Sequence, residues 1–197
     1  MYNGNIILIS PPGGGKGTLA KQLKEKYGYS LISTGDILRA EKNSDSEIGK
    51  QIKNLIGKGN LVPDELINQI IQKEITKTQG PFIIDGFPRT VPQGEFLDKI
   101  TNVDLVIYLE VSDETIQERI LERGETSGRE DDQSVERQWH PLLGIIQRRI
   151  KQFKEETFPL IDFYKSKKIL TYVDGEQSID EVFDQVENIL RIWSRVS

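Results

Sequence analysis

A glycine-rich segment with one lysine follows the first apolar run of the chain and has the composition of a phosphate-binding loop. Residues 13–18 read Gly-Gly-Gly-Lys-Gly-Thr, and a helical pattern of apolar residues begins directly after them at Leu19. Glycines let backbone N–H groups turn towards phosphate oxygens, and the amino terminus of the following helix adds partial positive charge. We therefore predict that Lys16 reaches the β- and γ-phosphates of a nucleotide and that the Thr18 hydroxyl meets Mg²⁺.

Two positions depart from the general form of such loops. The position six residues before the lysine carries Ser10 where glycine is usual, and Gly17 stands between the lysine and Thr18. The alternative interpretation is a glycine-rich turn that carries a surface lysine. The order of strand, loop and helix favours the phosphate-binding interpretation.

The composition argues against several other chemistries. The 197 residues include no cysteine and one histidine, His140, which excludes thiolate zinc sites and cysteine nucleophiles and argues against a catalytic triad. The net charge of −5 argues against non-specific binding to nucleic acid or to an anionic membrane. The apolar run at residues 6–9 is too short for a signal peptide or a membrane span. We expect a soluble cytoplasmic protein.

Strand patterns and helix patterns alternate along the chain, which predicts an α/β domain with a mostly parallel sheet. Continuous apolar runs predict strands at residues 5–9, 31–32, 81–85, 103–110 and 169–173. The clearest helix is an apolar stripe from Ile179 to Trp193, with Ser178 and Glu181 as a capping box. Two regions break the alternation: residues 34–62 are nearly all helical in pattern, and residues 123–144 are polar and irregular.

Further segments, taken in chain order, resemble the motifs of the adenylate kinase family and its nucleoside-monophosphate kinase relatives. The Gly-Lys-Gly-Thr form of the loop is the first of them. The others are residues 33–39, 59–63, 85–90 with Gln93, Arg119 with Arg123, 128–132, 159–164 and 174–175. These matches cover nearly the whole chain and follow the family's order. The chain therefore resembles the members of that family that have a short lid.

The resemblance implies a fold and an activity. The fold is a three-layer P-loop NTPase fold with a parallel five-stranded sheet, in a single domain over residues 1–197. A helical monophosphate-binding insert spans residues 33–62, and a small lid spans residues 122–144. The activity is reversible, Mg²⁺-dependent phosphoryl transfer from ATP to AMP, giving two ADP by direct in-line transfer. The partners are these nucleotides alone, with no nucleic acid or membrane, and the protein is expected to be a monomer.

The resemblance also implies a role for particular residues, because bringing two polyanions together requires charge neutralisation and bidentate arginines. The residues implied to bind ATP are Gly13, Gly14, Gly15, Lys16, Gly17, Thr18, Arg119, Arg123 and Gln177. The residues implied to bind AMP are Thr34, Gly35, Arg39, Asn60, Leu61, Val62, Gly86, Arg89, Gln93, Arg129 and Arg149. The catalytic set is Lys16, Arg39, Arg89, Arg123, Arg129 and Arg149. Mg²⁺ is assigned to Asp85 and Asp36 through water, and to Thr18.

The acceptor base is predicted from Thr34, Thr90 and Gln93. In family members that act on AMP, these positions go with adenine recognition, and the carboxamide of Gln93 offers both a donor and an acceptor to the adenine edge. One alternative is a UMP/CMP kinase, which usually carries Ala and Asn at the first two positions. Another is a nucleotide-binding regulator with weak turnover, supported only by Ser10 and an insertion at residues 135–143.

That insertion follows the lid motif and affects how one arginine is assigned. Aligning the chain backwards from Pro159 gives Arg149 as the catalytic arginine, with Arg148 and Arg137 as alternatives. The insertion itself is interpreted as a surface loop or as a contact for a partner or regulator. The resemblance further predicts a cis peptide bond between Phe87 and Pro88.

Overall fold

The computed structural model describes residues 2–57, 62–126 and 139–195, and within them five strands form one parallel sheet. The spatial order is β2-β3-β1-β4-β5, and every neighbouring pair is parallel. The strands are β1 Ile6–Ile9, β2 Ser30–Ser33, β3 Phe82–Asp85, β4 Leu105–Glu110 and β5 Leu170–Asp174. The predicted parallel five-stranded sheet is confirmed, including the short strand expected at residues 31–32.

Helices connect the strands and cover both faces of the sheet. They are α1 Lys16–Tyr27, α2 Thr34–Lys42, α3 Glu47–Gly57, α4 Asp64–Lys77, α5 Val91–Ile100, α6 Asp113–Thr126, α7 Trp139–Gln152, α8 Pro159–Ser166 and α9 Ile179–Trp193. A π-helical turn, Phe153–Thr157, joins α7 to α8. The predicted capping box is present at the start of α9, where Ser178 and Glu181 exchange backbone-to-side-chain hydrogen bonds. No helix within the described residues has both the length and the apolar composition needed to cross a membrane.

Alternating side chains of the central strand divide the core into two layers. Ile6 and Leu8 point into one layer, which contains residues of α1 and α9, and Ile7 and Ile9 point into the other, which contains residues of α4, α5 and α8. All four residues of β1 are buried. A strand buried on both faces needs apolar side chains at every position, which explains the unbroken run that predicted it.

The carboxyl ends of the strands lie along one edge of the sheet. Asp85 ends β3 and pairs in register with Leu8 of β1 on one side and with Ser33 of β2 on the other. The glycine-rich segment leaves β1 at this edge, α2 begins directly after β2, and the Gly86 turn follows β3. This is the edge at which open parallel sheets bind ligands, because the chain changes direction on either side of the central strand.

The helices α2 and α3 form a small unit beside this edge with a core of its own. Ile52 of α3 is completely buried and belongs to a cluster with Leu66 and Ile70 of α4, against which Val62 packs. The helical pattern expected over residues 34–62 is therefore confirmed for residues 34–42 and 47–57. Residues 58–61 lie outside the described part of the chain.

The prediction that residues 123–144 are irregular is wrong at both ends. Helix α6 continues to Thr126, and α7 begins at Trp139, within the segment interpreted as an insertion. Gly124 falls in the last turn of α6 and Pro141 in the first turn of α7, where glycine and proline cost little because few helical hydrogen bonds are lost. Residues 127–138 lie outside the described part of the chain.

Candidate active site

The glycine-rich segment forms a turn that leads directly into a helix. Gly13 and Gly15 have φ angles of +79° and +90°, a left-handed region that favours glycine, and the Gly14 N–H donates to the Pro11 carbonyl at 3.1 Å. Gly15 is the N-cap of α1, and a Cβ added there would meet nothing within 4 Å. The loop therefore leaves open space in front of a helix amino terminus that begins at Lys16, as an anion site requires.

Ser10 fits into this loop without altering its course. Its side chain is 5% exposed, and its Oγ donates to the Pro11 carbonyl at 2.9 Å. A Cβ placed on Gly14 would come within 2.8 Å of the Ser10 side chain, so the serine makes glycine necessary at position 14. The departure from the usual glycine is thus accommodated by local packing.

Asp85 presents an unused carboxylate oxygen beside the loop. Its Oδ1 is buried and makes no hydrogen bond within the described residues, and its Oδ2 lies 3.6 Å from where a Cβ on Gly17 would stand. Carboxylate oxygens are the ligands that Mg²⁺ prefers, directly or through water. The residues present therefore fit a divalent cation at this end of the loop, where the exposed Thr18 also lies.

Asp36 is arranged differently from Asp85. It lies exposed in the first turn of α2, and its carboxylate accepts a hydrogen bond from Arg39, three residues later. Arg39 itself folds back towards Gly35, with its guanidinium nitrogens 3.4 Å from where a Cβ on Gly35 would stand. Across residues 2–57, 62–126 and 139–195, no three histidine, aspartate or glutamate side chains come together as a metal cluster.

Arg89 lies beside the Gly86 turn. Its Nε donates to the Gly86 carbonyl at 2.9 Å, and the peptide bond between Phe87 and Pro88 is cis, as predicted. Although the residue is exposed, partial desolvation lowers the pKa of Arg89, the Asp85 charge raises it, and the Arg149 charge lowers it. A guanidinium stays protonated throughout. Arg89 is therefore close enough to interact with both Asp85 and Arg149.

Five residues form a polar group that we call the Gln93 cluster: Thr34, Asp64, Gly86, Arg89 and Gln93. Thr34 and Gln93 are buried, whereas Asp64 and Arg89 are exposed. Gln93 is 3% exposed; its Oε1 accepts from the Arg89 backbone N–H at 2.7 Å, and its Nε2 donates to Asp64 Oδ1 at 2.8 Å. Thr34 is 2% exposed, and its Oγ1 has no hydrogen-bond partner within the described residues. A buried hydroxyl without a partner is costly and is expected to bond a ligand.

A second group of polar residues, which we call the Arg119 cluster, joins the loop after β5 to the start of α6: Ser112, Thr115, Arg119, Glu176 and Gln177. The Glu176 carboxylate accepts from the Ser112 N–H and the Thr115 hydroxyl. Those hydrogen bonds, that of Thr115 first, lower the pKa of Glu176. Arg119 Nη2 reaches the carbonyls of Glu176 and Gln177 at 3.5 and 3.4 Å. These contacts are exposed, and the two arginine contacts are long.

The remaining predicted residues divide between described and undescribed positions. Arg149 lies in the last turn of α7 near Arg89, whereas the neighbouring Arg148 donates back to the Gly144 carbonyl of its own helix. Arg123 lies four positions after Arg119 on α6, but its side chain is outside the described part. The predictions for Asn60, Leu61, Arg129 and the alternative Arg137 also fall outside it.

Sequence reasoning did not identify Asp64, Ser112, Thr115 or the side chain of Glu176. Each makes its contact with a residue far away in sequence, 29 positions for Asp64 with Gln93 and 64 for Ser112 with Glu176. The only local signal was Pro63 followed by acidic residues, which marks a helix start and not a partner. The Arg89 N–H and the Asp64 carboxylate together hold the Gln93 amide in one orientation.

Comparison with known proteins gives a consistent result. A family model described as adenylate kinase matches residues 8–169 of the chain. The chain is 40% identical over 193 residues to an adenylate kinase of Flavobacterium psychrophilum, covering 94% of this chain and 97% of that one. It is 41% identical over 185 residues to adenylate kinase isoenzyme 1 of Gallus gallus, covering 92% and 91% respectively. It is 42% identical over 200 residues to an adenylate kinase of Parvibaculum lavamentivorans, covering 96% and 93%.

Proposed function

The chain belongs to the adenylate kinase family and is a nucleoside-monophosphate kinase, and we propose that it transfers the γ-phosphoryl group of ATP to AMP through the residues described above. The fold is accordingly the α/β P-loop NTPase fold of that family. One observation carries the assignment of the site. The glycine-rich loop, Asp85, Arg89 and Arg149 form a series in which each lies within interaction distance of the next.

In this proposal the donor lies on the side of the glycine-rich loop. Backbone N–H groups of Gly13–Thr18 and the Lys16 ammonium hold the phosphates of ATP, and Arg119 and Gln177 face its base. Arg123 and Arg129, from the proposed lid at residues 122–144, add positive charge over the transferring group. When bound, Mg²⁺ would supply charge neutralisation for the phosphates. Asp85, Asp36 and Thr18 are the residues proposed to hold it, the two carboxylates through water.

The acceptor lies on the other side, against the proposed insert at residues 33–62. Arg39, Arg89 and Arg149 bind its phosphate, and Thr34, Gly35, Gly86 and Gln93 contact the nucleoside, with residues 60–62 beside the base. The acceptor phosphate oxygen attacks the γ-phosphorus while the bond from that phosphorus to the bridging oxygen of ATP breaks, which leaves ADP on both sides. The arginines hold the two phosphates in line and stabilise the charge on the moving group.

Three finer points belong to the same proposal: dependence on Mg²⁺, a monomeric state and a cytoplasmic location. The unused Asp85 oxygen beside the loop supports the first. The other two rest on the family resemblance. A net charge of −5 supports the expectation that nucleotides, rather than nucleic acid or a membrane, are the partners.

Steady-state assays with ATP and Mg²⁺ against AMP, GMP, CMP and UMP test the proposal. We expect AMP to be the preferred acceptor by kcat/KM, two ADP per turnover, and loss of turnover when Mg²⁺ is chelated. Comparable turnover with UMP or CMP would favour the pyrimidine kinase alternative. Rapid hydrolysis of ATP without AMP would contradict direct transfer in a site that excludes water.

Adjacent arginines provide a matched test of the α7 assignment. Arg149→Ala should lower kcat by about 10²-fold or more, as expected for removal of a donor to the developing charge. Arg148→Ala, which removes an exposed arginine bonded to its own helix, should leave turnover near normal. The reverse result would show that the register after residue 132 is wrong and that Arg148 is the catalytic arginine.

A further inference from the structure

The carboxamide of Gln93 is held at both ends by protein groups of opposite hydrogen-bonding character. The Arg89 backbone N–H can only donate, so the amide oxygen must face it, at 2.7 Å. The Asp64 carboxylate can only accept, so the amide nitrogen must face it, at 2.8 Å. Both partners therefore require the same orientation of the Gln93 amide, although its oxygen and its nitrogen are nearly the same in size and shape.

After these two hydrogen bonds, Gln93 can still make two more hydrogen bonds to a ligand. A carboxamide has two N–H donors and two lone pairs on its oxygen, and Asp64 and Arg89 each use one. One N–H and one lone pair remain, which match the N1 acceptor and the N6 amino donor of adenine. A 6-oxopurine presents the opposite pattern, an N1–H donor and an O6 acceptor, and would match the amide only after it flips.

From this geometry we infer that Asp64 is a positioning residue that fixes the Gln93 amide in the orientation that reads adenine and rejects 6-oxopurines. The inference rests on the proposed function, since it assumes that Gln93 faces the acceptor base. Asp64 does not contact the base in this account. It acts through Gln93, which is 3% exposed and so has little water to replace a lost partner.

The position of Asp64 suits this role. It is the first residue of α4, two positions after the proposed insert, and its partner lies in the first turn of α5. The N-cap residue of α4, Pro63, contributes no side-chain hydrogen bond. The hydrogen bond therefore ties the end of the insert to the residue proposed to read the base. Acceptor discrimination would then depend on a contact between two helices.

Two variants and a control test the inference. D64A should raise the KM for AMP about tenfold, the size of one partly buried hydrogen bond to a charged group, while kcat and the KM for ATP stay within about twofold. The preference for AMP over IMP, measured as the ratio of kcat/KM, should fall. D64N, which keeps an acceptor oxygen, should lie between wild type and D64A. E65A removes the neighbouring exposed acid of the same helix turn and should change none of these values.

A double-mutant cycle separates positioning from a general structural effect. In a Q93A background there is no amide to orient, so adding D64A should produce no further rise in the KM for AMP. Additive effects, or a D64A enzyme with normal AMP affinity and normal AMP-to-IMP ratio, would overturn the inference. If D64A does not fold, D64S replaces it, because serine suits a helix start but is too short to reach the amide.

The same experiments distinguish failure of this inference from failure of the proposed function. If Q93A leaves kcat/KM for AMP unchanged, Gln93 does not read the acceptor base, and the proposed acceptor site is wrong. If Q93A impairs AMP use and D64A does not, the acceptor site stands and only the role of Asp64 is rejected.

Discussion

The Gln93 cluster and the Arg119 cluster, which the proposed function assigns to acceptor and donor respectively, are built on different principles. Gln93 and Thr34 are 3% and 2% exposed, and the hydroxyl of Thr34 is left without a partner in the described part of the protein. In the Arg119 cluster, Arg119 and Glu176 are bound through exposed hydrogen bonds, and Arg119 reaches backbone carbonyls at 3.4 and 3.5 Å. One side offers buried side chains to a ligand, and the other offers exposed backbone.

This difference predicts a difference in selectivity. A buried polar group that a wrong ligand leaves unpaired costs its full desolvation energy, so such a site rejects analogues strongly. Exposed groups can bond water instead, and a backbone carbonyl distinguishes bases poorly. We therefore expect strict discrimination of the acceptor base and weak discrimination of the donor base. Substitutions in the Gln93 cluster should therefore change the kinetics more than substitutions in the Arg119 cluster.

The largest effect is expected from Arg89, the positively charged member of the Gln93 cluster. Both Arg89→Ala and Arg89→Lys should lower kcat by about 10²- to 10³-fold, because lysine keeps the charge but not the planar bidentate donor. Arg119→Ala should raise the KM for ATP only a few-fold, about the value of a weak exposed contact. Steady-state kinetics with thermal melts as a folding control measure both. A greater loss for Arg119→Ala would reverse the ranking of the two clusters.

A smaller effect is expected from Thr34, with opposite consequences for binding and stability. Thr34→Val removes the buried, unpartnered Oγ1 but keeps the shape of the side chain. Without ligand, the variant should have an equal or higher Tm, since no hydrogen bond is lost. Its KM for AMP should rise about tenfold, because the hydroxyl no longer bonds the ligand.

The control for this prediction is Thr115→Val in the Arg119 cluster. Thr115 donates to Glu176, so the substitution removes an existing hydrogen bond and should lower the Tm slightly without changing the KM for AMP. If Thr34→Val bound AMP normally, the unpartnered hydroxyl would not be a ligand group. The contrast between the buried Thr34 and Gln93 side chains and the exposed Arg119 cluster would then lose its main support.

The features that sequence could predict are those specified locally. The loop at residues 13–18 requires left-handed glycines before a helix, and β1 requires apolar residues at every position because both of its faces are buried. Asp85 was found because it ends such a strand next to the loop. Each of these depends on a few consecutive residues. The turn, the strand and the strand end lie where they were predicted, and the ligands of the loop and of Asp85 stay predictions.

The features that sequence could not predict depend on how elements pack. The pairing of Asp64 with Gln93 exists because α4 lies against α5, and no local pattern specifies that contact. Helix α6 passes Gly124 because Ile116 and Ile120 pack with Ile150 of α7, so tertiary contacts support a turn that propensity alone would end. Hydrogen-bond partners and helix ends were therefore predicted poorly, whereas the sheet and the course of the loop were predicted well.

The smallest effect is expected at Glu176, where acid stability provides the readout. Hydrogen bonds from Thr115 and Ser112 lower the pKa of this carboxylate in the folded protein. A lowered folded pKa means that the carboxylate stabilises the fold above the unfolded pKa, and that this contribution is lost as pH falls through the folded pKa. Glu176→Gln should therefore lower the Tm slightly at neutral pH, and the difference from wild type should shrink in acid.

Glu181 is the matched control for Glu176, because it is also an exposed glutamate whose pKa is lowered by hydrogen bonds, there from the side chain and then the backbone of Ser178. Glu181→Gln should show the same convergence of Tm in acid. Only Glu176→Gln should also change ATP binding, by about twofold in KM, the scale of an exposed polar contact. A change much larger than that would mean that the donor base is held as rigidly as the acceptor base. No change would mean that Glu176 supports the helix start alone and that Arg119 reaches the two carbonyls without its help.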